Sequence, residues 1–226
     1  MCTHFTATRN DAWVKKNLGV GVPPHGTYDQ EVFPGYKGPL ARLGANGQVV
    51  IEPARFGLVP YWAKDAIIGR RTYNARSETV AEKPSYRTAW RQQQFGICLL
   101  DTFYEPNWET GRAVKWGVQR ADGDPMGVAC LWDRWTDPST SEVVTSFSML
   151  TVNADGHPVM GRFHRPGDEK RSVVVLAPDQ WLDWMKPGDR SRLIGVPEPQ
   201  ALVAGPVEVG LASGGDLEED VQKALF

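Results

Sequence analysis

Residues 97–108 read ICLLDTFYEPNW, and the fold turns on how this stretch is taken. Strict alternation puts Ile97, Leu99, Asp101, Phe103 and Glu105 on one face and Cys98, Leu100, Thr102 and Tyr104 on the other. Both faces are largely apolar, which predicts a strand buried on both sides. Such a strand needs partners, and the chain offers them. Residues 48–52 (QVVIE), 54–59 (ARFGLV), 113–119 (AVKWGVQ), 126–135 (MGVACLWDRW), 142–153 (EVVTSFSMLTVN) and 171–176 (RSVVVL) all read as strands. Turn signals such as ADGDP at 121–125 separate many of them.

Helices are fewer. In 85–94, SYRTAWRQQQ, Tyr86, Ala89 and Trp90 share one face while Arg87 and Arg91 share another. In 177–185, APDQWLDWM sets Trp181, Trp184 and Met185 on one side. Thr79 and Glu82 suit a capping box on a short turn that Pro84 ends. Residues 19–39 are rich in Gly and Pro and read as a long ordered loop. The sum predicts an α+β, predominantly β, single domain over 1–226, with a curved, barrel-like sheet and peripheral helices. Its end, about 206–226, is Gly-rich, then acidic, and is expected to be loosely attached.

The chain has 226 residues and a net charge of −2, so no global basic field points to nucleic acid. The charge is uneven. Residues 54–91 carry eight basic against three acidic side chains, and 193–226 carry six acidic against one basic. A local anion-binding face is compatible with this, as is a plain solvated surface. Three widely spaced cysteines argue for a reducing compartment, hence the cytoplasm. Cys98 and Cys130 lie in apolar runs and suit core packing. A zinc site from Cys2, His4 and a distant cysteine has no ligand spacing behind it. There is no apolar leader and no membrane-length apolar run.

Four polar features stand out from the core pattern. Cys2 follows Met1 directly, and removal of Met1 would leave an α-amine and a thiol on adjacent carbons. In TYNARSET, 72–79, an extended backbone points Asn74, Arg76 and Glu78 to one side, and the Arg76 fork suits a phosphate; a solvated loop entry is the alternative. Glu105 ends a buried strand, where lost hydration favours the protonated form and suits it to moving protons. Simple pairing with an arginine is its ordinary alternative. In GRFHRPGDEKRSVVVL, 161–176, His164 between Arg162 and Arg165 suits a proton donor or an anion contact.

Cys2, NARSET, FYEP and a His before a VVVL strand, in that order, resemble the SRAP family, the SOS-response-associated peptidases. GLVPYWAKD at 57–65 and CLWDRW at 130–135 add to the resemblance, which covers roughly residues 1–205. It implies a monomeric, cofactor-free β domain whose groove takes single-stranded DNA containing abasic sites. After Met1 is removed, with self-processing as one route, the Cys2 amine condenses with the ring-opened sugar aldehyde and the thiol closes a thiazolidine. Asn74 positions the amine and the sugar, Glu105 moves protons, and His164 assists sugar opening and reversal. Arg76 contacts phosphate and Trp62 lines the groove. The expected DNA-contact set is completed by Tyr61, Arg70, Arg71, Arg87, Arg91, Arg162 and Arg165. The chain departs from the family pattern in three places: MCTH stands for Met-Cys-Gly-Arg, PNW follows Glu105 where Trp is usual, and HRPGDEKR replaces His-Asp-Arg-x-Pro. Two other readings remain: a peptidase with Cys2 as N-terminal nucleophile, and a single-strand-binding module without chemistry.

Overall fold

The structure, a computed structural model, describes residues 2–207. In chain order the strands are β1 (His4–Ala7), β2 (Glu31–Val32), β3 (Lys37–Leu43), β4 (Val49–Phe56), β5 (Asn74–Arg76) and β6 (Phe95–Asn107). They continue with β7 (Val114–Arg120), β8 (Met126–Thr136), β9 (Val143–Asn153), β10 (Arg171–Val173), β11 (Val175–Leu176) and β12 (Leu202–Pro206). The helices are α1 (Asp11–Leu18), α2 (Arg87–Arg91) and α3 (Trp181–Met185).

Five strands close a barrel in the order β3, β6, β8, β9, β4 and back to β3. All neighbours are antiparallel except β4 and β9, which run parallel at Arg55↔Ser146 and Phe56↔Phe147. The lumen is filled by Phe56, Cys98, Cys130, Phe147 and Met149, so Cys98 and Cys130 are core residues as expected. Ile97, Leu99, Ala129 and Leu131 face outward beneath Trp181 and Trp184 of α3. The predicted runs 48–52 and 54–59 are one strand through Pro53, and 171–176 splits between β10 on β9 and β11 on β8. The helix expected over 85–94 keeps only Arg87–Arg91, because Gln93 takes a left-handed φ of 56°. The loop expected over 19–39 contains β2 and the start of β3. Helix α1 was not foreseen, although Asn10 caps it (Trp13 N to Asn10 Oδ1, 3.1 Å) and Gly19 ends it at φ 74°. β12 pairs with β7 up to Pro206, and Val207 N donates to Lys115 O at 3.1 Å; residues 208–226 of the expected loose end lie outside the described residues.

β6 changes neighbours along its length within one sheet. Its first half, Phe95–Leu100, sits between β3 and β8 in the barrel. Its second half lies between β1 and β7. At the junction β1 skips a residue: Thr6 pairs with Thr102 and Ala7 with Leu100, so Asp101 is extra. An extra residue in a ladder reverses which side chains face inward. Cys98, Leu100 and Phe103 therefore share the inner cluster with Cys2, while Ile97 and Leu99 face the other way. This corrects the strict alternation expected for 97–105. The bulge turns Phe103, and with it Glu105, inward to the side of Cys2.

Deleting Asp101 should leave Leu100, Thr102 and Phe103 in plain alternation, with Phe103 and Glu105 still facing inward. In denaturant unfolding the loss should stay well below ~3 kcal/mol, the scale of removing a buried Phe. A loss of that size would show that the extra residue does more than set the facing.

Candidate active site

β1 carries the N-terminus to the bulged half of β6. Cys2 is fully buried, and its Sγ donates to His4 O at 3.4 Å. Its carbonyl accepts from Asn74 Nδ2 at 2.8 Å. Asn74 opens β5, which β9 fixes in parallel register (Asn74↔Met149), and its own carbonyl accepts from Tyr86 Oη at 2.9 Å. Asn74 Oδ1 is buried and has no hydrogen-bond partner among the described residues.

Glu105 is 2% exposed, with its Oε2 3.5 Å from His164 Nε2. His164 has a left-handed φ of 64°. A non-glycine residue in that region costs ~1–3 kcal/mol and persists where its surroundings fix it. Here His164 N donates to Pro106 O at 3.1 Å, and Lys170 Nζ donates to the carbonyls of His164 and Arg165 at 3.1 and 2.9 Å. Asn107, 1% exposed, bridges β6 to Phe163, and its Nδ2 donates to Arg162 O at 3.4 Å. Cys2, Asn74, Glu105 and His164 thus converge from four places in the chain. Sequence reasoning missed Tyr86, Asn107 and Lys170, which hold them. The signal for Asn107 was its place two residues after Glu105, on the same face.

Burial sets the charge states. It pushes the Cys2 thiol up to about 12, and the Glu105 charge pushes in the same direction. Burial lowers the His164 pKa, with Glu105 opposing. Tyr73, beside Asn74, is raised by burial and by Cys2 and Glu105. His4 supplies no cation at neutral pH. Its ring stacks between Phe33 at 4.1 Å and Tyr104 at 4.3 Å, and burial followed by the Lys115 charge holds its pKa down to about 4. Its Nε2 lies 2.6 Å from Glu31 Oε2.

The expected DNA-contact residues lie outside this pocket. Arg76 Nη1 donates to Glu169 Oε2 at 2.7 Å, and Glu169 is also held by buried Arg171 at 2.6 Å. Arg162 makes a bidentate pair with Glu109 at 2.8 and 3.1 Å and lies over Trp116. Arg165 lies 5.0 Å over the Trp108 ring. Tyr61 and Trp62 are exposed, at 60% and 47%. Arg70 and Arg71 are exposed on the 3₁₀ turn Ala66–Arg71, and Arg87 and Arg91 are exposed on α2. Among the described residues no three His, Cys, Asp or Glu side chains gather to hold a metal ion, and no helix is long and apolar enough to cross a membrane.

The family of SOS response associated peptidases (SRAP) matches residues 1–209. The chain belongs to the SRAP family. Among SRAP relatives, the abasic site processing protein YoaM of Bacillus subtilis is 28% identical over 61% of this chain and 57% of its own length. The abasic site processing protein YedK of Escherichia coli is 27% identical over 82% of this chain and 80% of its own. The chain thus spans little more than half the length of YoaM. A crystal structure of a protein from Bordetella bronchiseptica shares 32% identity and a TM-score of 0.82, over 92% of this chain and all of that one. A protein from Bacteroides thetaiotaomicron shares the fold at 20% identity and a TM-score of 0.75, over 92% of this chain and 93% of that one.

The buried His4 of this SRAP chain has a measurable consequence. The folded His4 pKa of about 4 lies below the ordinary 6.5, so the unfolded chain binds the proton first as pH falls. Stability should therefore drop between pH 6.5 and about 4. His4→Phe keeps a stacking ring, removes the titration and should flatten the drop in Tm. Parallel Tm–pH curves for the two proteins would contradict this.

Proposed function

We propose that the chain senses abasic sites in single-stranded DNA and links to them covalently through Cys2 once Met1 is removed, acting as a monomer without a cofactor. The observation that carries this reading is the meeting of Cys2, Asn74, Glu105 and His164 at one buried spot. The relatives' names, abasic site processing proteins, support the same target.

The thiol, at about 12, is uncharged at neutral pH. An α-amine has a pKa of ~7.7–8.0, so a useful fraction is neutral there. The amine is therefore the first nucleophile. Asn74 holds the Cys2 carbonyl and offers Oδ1 to an N–H, which aims the amine lone pair at an incoming aldehyde. Attack at the sugar C1 forms a C–N bond, and loss of one water gives the imine. The thiol then adds across C=N: sulfur bonds to carbon, and its proton passes to nitrogen. Glu105 lies where it can relay that proton, because its charge is felt by the Cys2 thiol and its carboxylate faces His164. Burial lowers the His164 pKa, which suits the imidazole to taking and returning a proton during sugar opening. Hydrolysis of the Met1–Cys2 bond could use the same groups. A fully buried, neutral thiol speaks against a thiolate attacking outside peptides.

The test is a crosslinking rate on a single-stranded oligonucleotide with one abasic site, measured against pH. Wild-type rates should climb through the α-amine range of ~7.7–8.0 and then level off. Glu105→Gln should cross-link ~10²–10⁴-fold more slowly, the range for a lost general acid–base, with near-normal binding to an intact strand. A wild-type rate in Glu105→Gln would reduce that residue to a structural role.

A further inference from the structure

Between β4 and β5 the chain makes an excursion, 57–73, closed at its neck by Leu58 N to Thr72 O (3.2 Å) and Thr72 Oγ1 to Leu58 O (2.6 Å). It carries Tyr61, Trp62 and Arg70, and it delivers the chain to Asn74. Gly57, at φ 107°, lies so close to Gly69 that a Cβ at 57 would stand 2.1 Å from Gly69 O. This contact folds the 3₁₀ turn back over Arg55, the last outward-facing residue of β4. A Cβ at Gly69 would stand 3.7 Å from Arg55 Nε, and one at Gly35 would stand 3.3 Å from Arg55 Nη2. The guanidinium is thus held between two glycine backbones.

Among the described residues no carboxylate pairs with it. Arg76, Arg162 and Arg171 each pair with a glutamate, but Arg55 and Arg70 have no ion pair among the described residues. Arg55 Nε is buried without a hydrogen-bond partner among the described residues. The charges around it are cationic: Arg70 repels it, and Lys37 lies directly across on β3. Burial, then Arg70, pull the Arg55 pKa down. A rigid, partly dry guanidinium beside a second one is unfavourable until an anion arrives, and a phosphate accepts the fork. Tyr36, 51% exposed, precedes Lys37 and offers a ring face.

We propose that Arg55 and Arg70 form a second phosphate subsite, on the face of β4 opposite Phe56, that takes a phosphodiester of the strand flanking the lesion, with Tyr36 stacking a neighbouring base. The proposal rests on the single-strand reading above. It gives the protein a grip on the strand outside the Cys2 pocket, linked to Asn74 through the excursion's neck. Stacking on an aromatic is sequence-tolerant, so the grip needs no particular base.

The experiment compares salt dependence of binding for a long and a short single strand, each with one abasic site, using wild type, Arg70→Ala and Arg70→Glu. Arg70 is exposed, so these variants should fold; Arg55→Met is added where its Tm is normal. On the long strand the log–log salt slope should fall by ~0.7 for one lost phosphate contact, and by less on the short strand. Equal falls on both strands would put the pair in the lesion pocket and overturn the proposal. So would unchanged slopes on both, while wild-type crosslinking would leave the functional reading standing. A loss confined to binding of inorganic phosphate would mean a free-anion site and would equally overturn it. Failure of the wild type to bind or cross-link any strand would bring down the functional reading and the proposal together.

Discussion

The extra residue at Asp101 governs this molecule. β6 must serve a closed barrel with its first half and a docking edge for β1 and β7 with its second. Without the bulge, a strand apolar on both faces would keep Phe103 and Glu105 on the side of Leu99, beneath α3. With it, Phe103 joins the lumen, and Glu105 turns toward the end of the barrel where β1 brings Cys2. One unpaired residue thus links the closure of the barrel to the assembly of the site.

Desolvation then divides the chemistry. Inside, where groups are fully or nearly buried, the Cys2 thiol stays protonated and His164 resists protonation. This favours proton relay over standing charge, and it suits condensation, in which each step moves a proton between nitrogen, oxygen and sulfur. Away from the site, full charges meet full charges. Arg171, nearly buried, carries a bidentate pair with Glu78 and a bond to Glu169, and Glu169 reaches Arg76. A strand that claims Arg76 must compete with that carboxylate, whereas Arg55 and Arg70 present no such competitor among the described residues.

The sequence carried the two-sided burial of 97–100 and the core roles of Cys98 and Cys130, because residue type and strand pattern are local, whereas beyond Leu100 one face of β6 is only half-buried. It did not carry the phase of β6 past Leu100, since a bulge is imposed by the partner strand. The caps of α1, Asn10 and Gly19, were written in the chain but lay outside any apolar period. The partner of Arg76 stands 93 residues away, and a count of charges cannot say that it is occupied while Arg55 is not. His4 stood out only as a departure from the family's usual start; its stacking between Phe33 and Tyr104 follows from β1 docking between β2 and β6.

The central claim is that Cys2, held by Asn74 and served by Glu105, is the atom pair that captures the lesion. It is tested most directly by digesting a denatured protein–oligonucleotide adduct with nuclease and protease and mapping the modified peptide by mass. The account predicts one modified peptide, beginning at Cys2 without Met1, heavier by the sugar fragment less one water, with neither the amine nor the thiol free. An adduct on a lysine, or on a peptide that retains Met1, would contradict it.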